Sequence, residues 1–141
     1  MKWIFDQESI NWDELSNLYR IAPLGAKNPE DLKIAFSNSR YKCFVFDDGK
    51  LIGVGRALAD GVDCSYLCDV AVHPDYQGIG LGKEIINKLK EFSAGHKKII
   101  LYASPGKEGF YQKLGFMRMR TAMAIFQNQG RAIEIGLVDE A

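Results

Sequence analysis

The sequence has no long apolar run. Its N-terminus, Met1-Lys2-Trp3-Ile4-Phe5, turns polar too soon for a signal peptide or a membrane span, so no membrane role is expected. Cysteine is scarce. Cys43, Cys64 and Cys68 are an odd number, which argues against a disulfide framework and for reduced thiols of a cytoplasmic protein. Cys64 and Cys68 have three residues between them, and no second Cys or His pair follows at zinc spacing, so no metal site is expected. Charge of either sign is not in excess: 18 Lys and Arg balance 18 Asp and Glu. That balance argues against a nucleic-acid partner, which would demand a basic face. Repeats, low-complexity tracts and Pro/Gly-rich linkers are missing too. The 141 residues are therefore expected to form one domain, large enough to fold without staples.

What is present is a regular alternation of elements. Residues 2–5 read as a short strand. Asn11 with Glu14 three residues on is a capping-box pattern, and Leu15, Leu18, Tyr19 and Ala22 follow at helical spacing. Asn28-Pro29-Glu30-Asp31 opens a second helix with a cap, a first-position proline and first-turn acids. Tyr41–Phe46 and Leu51–Leu58 read as strands around the Asp48-Gly49 turn, and Tyr66–Val72 as a third antiparallel strand. A helix runs from Gly80 to about Phe92. Lys98–Ala103 is expected to pair parallel to Tyr66–Val72, because a helix connects them. Pro105 opens a short helix ending at Leu114-Gly115. Thr121–Phe126 and Ala132–Val138 read as two last strands, whose apolar edge suggests a homodimer. The expected class is α+β, a mixed and mostly antiparallel sheet flanked by helices.

The most informative stretch is Tyr76-Gln77-Gly78-Ile79-Gly80-Leu81-Gly82-Lys83, between a strand and an amphipathic helix. Glycines there let successive backbone N–H groups converge without Cβ interference, and the helix N-terminus adds partial positive charge. The combination suits a pyrophosphate, to which Lys83 offers a further contact. Two other glycine loops fail on spacing. The dinucleotide fingerprint needs G-x-G-x-x-G and an acid about 20 residues on, where Ala103 and Ser104 stand. A Walker loop needs four residues between its glycines, and Gly78 and Gly82 enclose three.

Gln77-Gly78-Ile79-Gly80-Leu81-Gly82, after the strand Asp69-Val70-Ala71-Val72-His73-Pro74, resembles the signature of the GCN5-related N-acetyltransferase family. Phe110-Tyr111-Gln112-Lys113-Leu114-Gly115-Phe116 resembles the family's second element at family-like spacing. The resemblance implies splayed parallel central strands, an acyl-CoA N-acyltransferase fold, and acetyl-CoA as co-substrate. It implies coenzyme contacts from Val70, Ala71, Val72, Gln77, Gly78, Ile79, Gly80, Leu81, Gly82, Lys83, Ser104, Phe110, Tyr111 and Lys113. The pantetheine arm would pair with the backbone of Val70 and Val72.

The implied reaction is direct attack by a primary amine of a small molecule, with Tyr111 as the acid for the departing thiolate. Phe110 reads more simply as packing. The base is open. Relatives with a strand glutamate carry it at positions matching Tyr66 or Cys68, which hold none here. Asp69 acts through water, or orders the loop while solvent takes the proton. Strict alternation would put Leu67, Asp69 and Ala71 on one face and Tyr66, Cys68, Val70 and Val72 on the other. Cys68 beside His73 offers only a weak case for an acyl-cysteine route. His96 reads as a solvated turn. Lys107 and Glu108 are expected to flank the acceptor mouth, and Arg56 either meets an anionic acceptor or is simply exposed. A sensor that binds acetyl-CoA without turnover, and a lysine-modifying enzyme acting on proteins or peptides, are the alternative readings. An intact Tyr111 favours turnover over sensing.

Overall fold

The structure is a computed structural model that describes residues 1–140. The backbone clusters into two compact units, 1–101 and a second from Tyr102 onward. In the first unit, β1 (Lys2–Ile4) is followed by α1 (Trp12–Ile21), α2 (Pro29–Ser37), β2 (Tyr41–Asp47), β3 (Lys50–Ala59), β4 (Cys64–Val72), α3 (Leu81–Phe92) and β5 (Lys98–Ile100). The strands lie in sequence order. β1 to β4 pair antiparallel, and β5 pairs parallel to β4.

Local chemistry sets the helix starts. Asn11 accepts hydrogen bonds from the N–H groups of Asp13 and Glu14, and Asn28 accepts from Glu30 and Asp31. The expected reciprocal capping box at Asn11 is not made. Glu14 instead reaches across to accept from the Leu51 N–H at 3.1 Å, tying α1 to β3.

The sheet is covered on both faces. Leu15, Leu18, Tyr19, Leu32 and Phe36 of α1 and α2 pack with Phe44, Leu51, Val54 and Ala71 of the sheet. On the other face Leu81, Ile85, Ile86 and Leu89 of α3 are buried. Two strand glycines let α3 approach. A Cβ on Gly53 would stand 2.9 Å from Ile85 Cδ1, and one on Gly55 would stand 2.8 Å from Ile85 Cγ2 and 3.0 Å from Leu89 Cδ1. These are closer than carbon atoms pack, so α3 lies against bare backbone. Gly55→Ala is therefore expected to destabilise the protein by about 1–3 kcal/mol through overpacking. The measurement is the urea midpoint at constant m value. An unchanged midpoint would mean that α3 yields at no cost.

β4 departs from strict alternation. Val54 pairs with Ala71 and Arg56 with Cys68, so Asp69 and Val70 together oppose Gly55 alone. This is a bulge, and Asp69 has φ 55°, a left-handed conformation uncommon for a residue with a side chain. The extra residue inverts the side-chain order. Leu67 pairs with Ala57 on the α3 face, while Ala71 pairs with Val54 in the α1/α2 core. The expectation that Leu67, Asp69 and Ala71 share a face is thus overturned.

β5 is shorter than expected. It pairs only Lys98–Ile100 with Cys64–Tyr66, and Leu101–Ala103 are not strand. Among the described residues, Leu67–Val72 therefore have no strand on the β5 side, which is the splay of the two parallel strands.

The second unit contains α4 (Glu108–Gln112) and α5 (Gln129–Glu134). The two strands expected here are not formed. Asn128 caps α5 by accepting from the Arg131 N–H, and Arg131 pairs with Glu134 at 3.1 Å. Gly136, at φ 84°, closes the helix, with Leu137 N–H bonded to the Ala132 carbonyl. Cap and stop signals thus outweigh the alternation of Ala132 to Val138. Residues 121–126 lie in no ladder. The Phe126 N–H is taken by the Gln129 side chain, its ring meets Tyr102, and Met123 and Ile125 are exposed. The strand edge on which a homodimer was expected is not there.

Candidate functional site

The glycine loop begins where β4 ends. A short 3-10 turn, Pro74–Tyr76, is held by His73, whose Nδ1 accepts from the Asp75 N–H. The Tyr76 hydroxyl donates to Asp47 at 2.7 Å, and the Gln77 side chain donates to the Val72 carbonyl at 3.1 Å. Both bonds fasten the loop to the strands before it. Gly78 has φ 83° and Gly80 φ 85°, and nothing stands within 4 Å of where either Cβ would be.

Gly80 is the N-cap of α3 and, having no side chain, offers no capping acceptor. The first N–H groups of α3 are therefore left to an outside partner, and the Glu84 N–H is the first to bond back, to the Gly80 carbonyl. Leu81 anchors this turn in the core, while Gln77, Ile79 and Lys83 stay exposed. An open, Cβ-free turn with free N–H groups at a helix N-terminus fits an anionic group such as a pyrophosphate.

Val70, Ala71 and Val72 lead into this loop along the stretch of β4 that β5 leaves unpaired. The strand edge and the loop are thus continuous. Asp69 lies in the same stretch, on the bulge. Its Oδ2 accepts from Arg56 Nε at 2.8 Å, and its Oδ1 lies 3.6 Å from Lys27 Nζ. Its carbonyl accepts from the Tyr19 hydroxyl at 2.7 Å. Burial, then the Asp69 charge, raise the Tyr19 phenol well above the usual value, which keeps that donor protonated. Arg56 is therefore not simply exposed, a point that its place in the sequence left open.

Cys68 is half-buried, and burial pushes its thiol up to about 11. Burial thus works against the thiolate that an acyl-cysteine route would need. His96 is not a free turn residue. Its Nε2 accepts from the Gly61 N–H at 3.0 Å, and its Nδ1 lies 2.9 Å from the Ser93 carbonyl.

Ser104, Phe110, Tyr111 and Lys113 belong to the second unit. The motif there has a local structural meaning. Gly115, at φ 97°, ends the helix, with its N–H bonded to the Gln112 carbonyl and the Phe116 N–H to the Tyr111 carbonyl. This is a Schellman closure, and its usual apolar contact is made by the Tyr111 and Phe116 rings, 6.0 Å apart and edge to face. Phe110 packs on Tyr111 at 5.0 Å. The Tyr111 ring is thus held from two sides. Burial raises its phenol above the usual value, yet its hydroxyl makes no hydrogen bond among the described residues. Ser104 and Lys113 are exposed. Glu108 accepts from the Gly106 N–H at 3.1 Å and so closes its own turn.

Sequence reasoning missed three parts of this arrangement: Lys27, Tyr19 and the bulge that gathers them around Asp69. Arg56 and Asp69 were visible singly, but nothing in their spacing announces an extra residue in β4.

The chain matches the Acetyltransferase (GNAT) family over residues 9–116. It is 33% identical over 122 residues to the "Uncharacterized N-acetyltransferase ycf52" of Pyropia yezoensis, covering 82% of this chain and 70% of that protein. A probable acetyltransferase from meticillin-resistant Staphylococcus aureus shares the fold with a TM-score of 0.79 at 23% identity, covering 89% of this chain and 96% of that one. An aminoglycoside 6'-N-acetyltransferase in complex with coenzyme A shares it with a TM-score of 0.68 at 18% identity, covering 82% and 84%.

Proposed function

The chain belongs to the GNAT acetyltransferase family and is an N-acetyltransferase, and from that premise we propose that it moves acetyl from acetyl-CoA to a primary amine of a small molecule, by direct attack in a ternary complex. The observation that carries the coenzyme half is the uncapped Gly78–Gly80 turn, continuous with the free edge of β4. Acetyl-CoA supplies the activated thioester. The backbone of residues 77–82 holds the pyrophosphate, with Lys83 at its side, and the Val70–Val72 edge aligns the pantetheine arm as an added strand. Ala71, buried in the core, fixes that edge. Ser104, Phe110 and Lys113 are assigned to the coenzyme on the family motif alone.

Tyr111 provides the proton for the departing thiolate. Its ring is fixed by Phe110 and Phe116, and its raised phenol is a protonated donor at neutral pH. Asp69 already faces Arg56 and Lys27 with its two oxygens, so we assign it to holding the bulge. Amine deprotonation is left to solvent.

The test begins with binding. Acetyl-CoA at a hundred times its Kd is expected to stabilise the fold by about 2.7 kcal/mol, read as a thermal shift, and NADH and ATP by markedly less. Equal shifts from all three would overturn the coenzyme assignment. Thiol release is then measured with free amines and with lysine peptides. Release with amines supports the small-molecule reading, release with peptides alone moves the acceptor to proteins, and release with neither leaves a sensor.

A further inference from the structure

The polar cluster at the β4 bulge is unbalanced. It contains two cations, Lys27 and Arg56, and one carboxylate, Asp69. All three are largely withdrawn from solvent, with side-chain exposures of 28%, 15% and 22%. A cation taken out of water needs a full set of acceptors, and one carboxylate cannot serve both. Arg56 has the better share. Its Nε donates to Asp69 at 2.8 Å and its Nη1 to the buried Ser39 hydroxyl at 3.2 Å. Ser39 in turn donates to the Ala35 carbonyl, so it cannot turn away.

Lys27 has the poorer share. Its Nζ lies 3.6 Å from Asp69 and 5.4 Å from the centre of the Tyr19 ring. Neither is a hydrogen bond of ordinary length. Among the described residues the Lys27 ammonium thus keeps its donors available. The cluster stands on Asp69, in the same unpaired stretch of β4 that leads into the glycine loop.

We infer that Lys27, backed by Arg56, recognises an anionic group on the acceptor, so that the preferred substrate is a primary amine that also carries a carboxylate or a phosphate. The inference rests on the coenzyme arm lying along the Val70–Val72 edge of β4, which begins at the bulge. An amine entering beside that edge meets the bulge, and its anion completes the set of acceptors the two cations lack. Asp69 holds the cations at the site and is not the acceptor's partner. Lys27 discriminates by charge and leaves the chemistry to other groups. Its effect therefore falls mainly on KM, and added salt weakens it, since the ammonium is partly exposed.

The experiment compares two pairs of amines that share a carbon skeleton and differ in the anionic group: ethanolamine with O-phosphoethanolamine, and propylamine with β-alanine. The expected result is a kcat/KM at least tenfold higher for one or both anionic members, with the pair that shows it telling phosphate from carboxylate. Lys27→Met is expected to cut that preference about tenfold through KM, and Lys27→Arg to restore most of it. A merely structural Lys27 would lower both members of a pair together and leave their ratio alone. Equal kcat/KM within both pairs, or a ratio unmoved by Lys27→Met, overturns the inference. If none of the four is turned over while acetyl-CoA still stabilises the protein, calorimetric binding of the same four amines in the presence of coenzyme A decides. Tighter binding of an anionic member, lost in Lys27→Met, sustains the inference, and equal or absent binding overturns it. Loss of the acetyl-CoA shift itself would instead overturn the coenzyme assignment.

Discussion

Gly80→Asp is expected to leave a folded protein that has lost at least a hundredfold in affinity for acetyl-CoA, or about 2.7 kcal/mol. The fold survives because nothing lies within 4 Å of the new Cβ. The φ of 85° costs a side chain about 1–2 kcal/mol, and a carboxylate at the N-cap of α3 offsets part of that cost by accepting from the first-turn N–H groups. The same bond destroys the binding site. The introduced carboxylate occupies the N–H groups assigned to the pyrophosphate and repels its charge. Gly80→Asn separates the two effects, since it caps the helix without the charge, and an intermediate loss is expected. Calorimetric titration with acetyl-CoA and urea unfolding of each variant check this. Unchanged affinity in Gly80→Asp would reduce Gly80 to a turn residue.

Tyr111→Phe is expected to lower kcat by about a hundredfold or more while coenzyme affinity barely moves. General acid catalysis contributes about 10²–10⁴-fold, so a hundredfold loss corresponds to about 2.7 kcal/mol of barrier. Stability should change little. The ring contacts to Phe110 and Phe116 are kept, and the hydroxyl leaves no described partner orphaned. The pH profile sharpens the test. Burial raises the phenol above its usual value near 10, so its donating form persists through neutral pH and is lost as pH rises past the folded value. Wild-type kcat should therefore carry an alkaline limb at high pH that Tyr111→Phe lacks. Unchanged kcat, with or without a change in Tm, would assign Tyr111 to packing and leave the leaving thiolate to solvent.

Much of the first unit was legible because its signals are local. Asn11 and Asn28 announce their helices, Asp48-Gly49 its hairpin, and the spacing of Leu81, Ile85 and Leu89 its buried face. The glycine loop was legible for the same reason. Gly78 and Gly80 adopt the positive φ that their identity permits. The Asp69 bulge was not, because register is a property of two strands, and no residue in β4 states that Gly55 will face a pair. The tail from residue 121 misled because Ile133 and Ile135 alternate as in a strand, while Asn128 and Gly136 frame a helix. Tyr111 was legible as a motif residue, but its Schellman partner Phe116 gives the ring a local role that the motif alone does not separate from chemistry.

The bare surface at Gly53 and Gly55 bears on how the chain can change over generations. Leu81 is the first residue of α3 and the neighbour of Gly80, and its Cδ2 would meet a Cβ at Gly53 at 3.3 Å. The altitude of the helix above the sheet is therefore also the altitude of the glycine loop. A single methyl group at residue 53 would lift the near end of α3 while leaving every loop residue as it was. Reaction geometries tolerate little of this, since a misplacement of about 1 Å can cost about 10²-fold in rate. Gly53, which makes no contact with the coenzyme in this reading, thus bears on the rate through the height of α3, and a larger residue there would need a smaller one at Ile85 or Leu81.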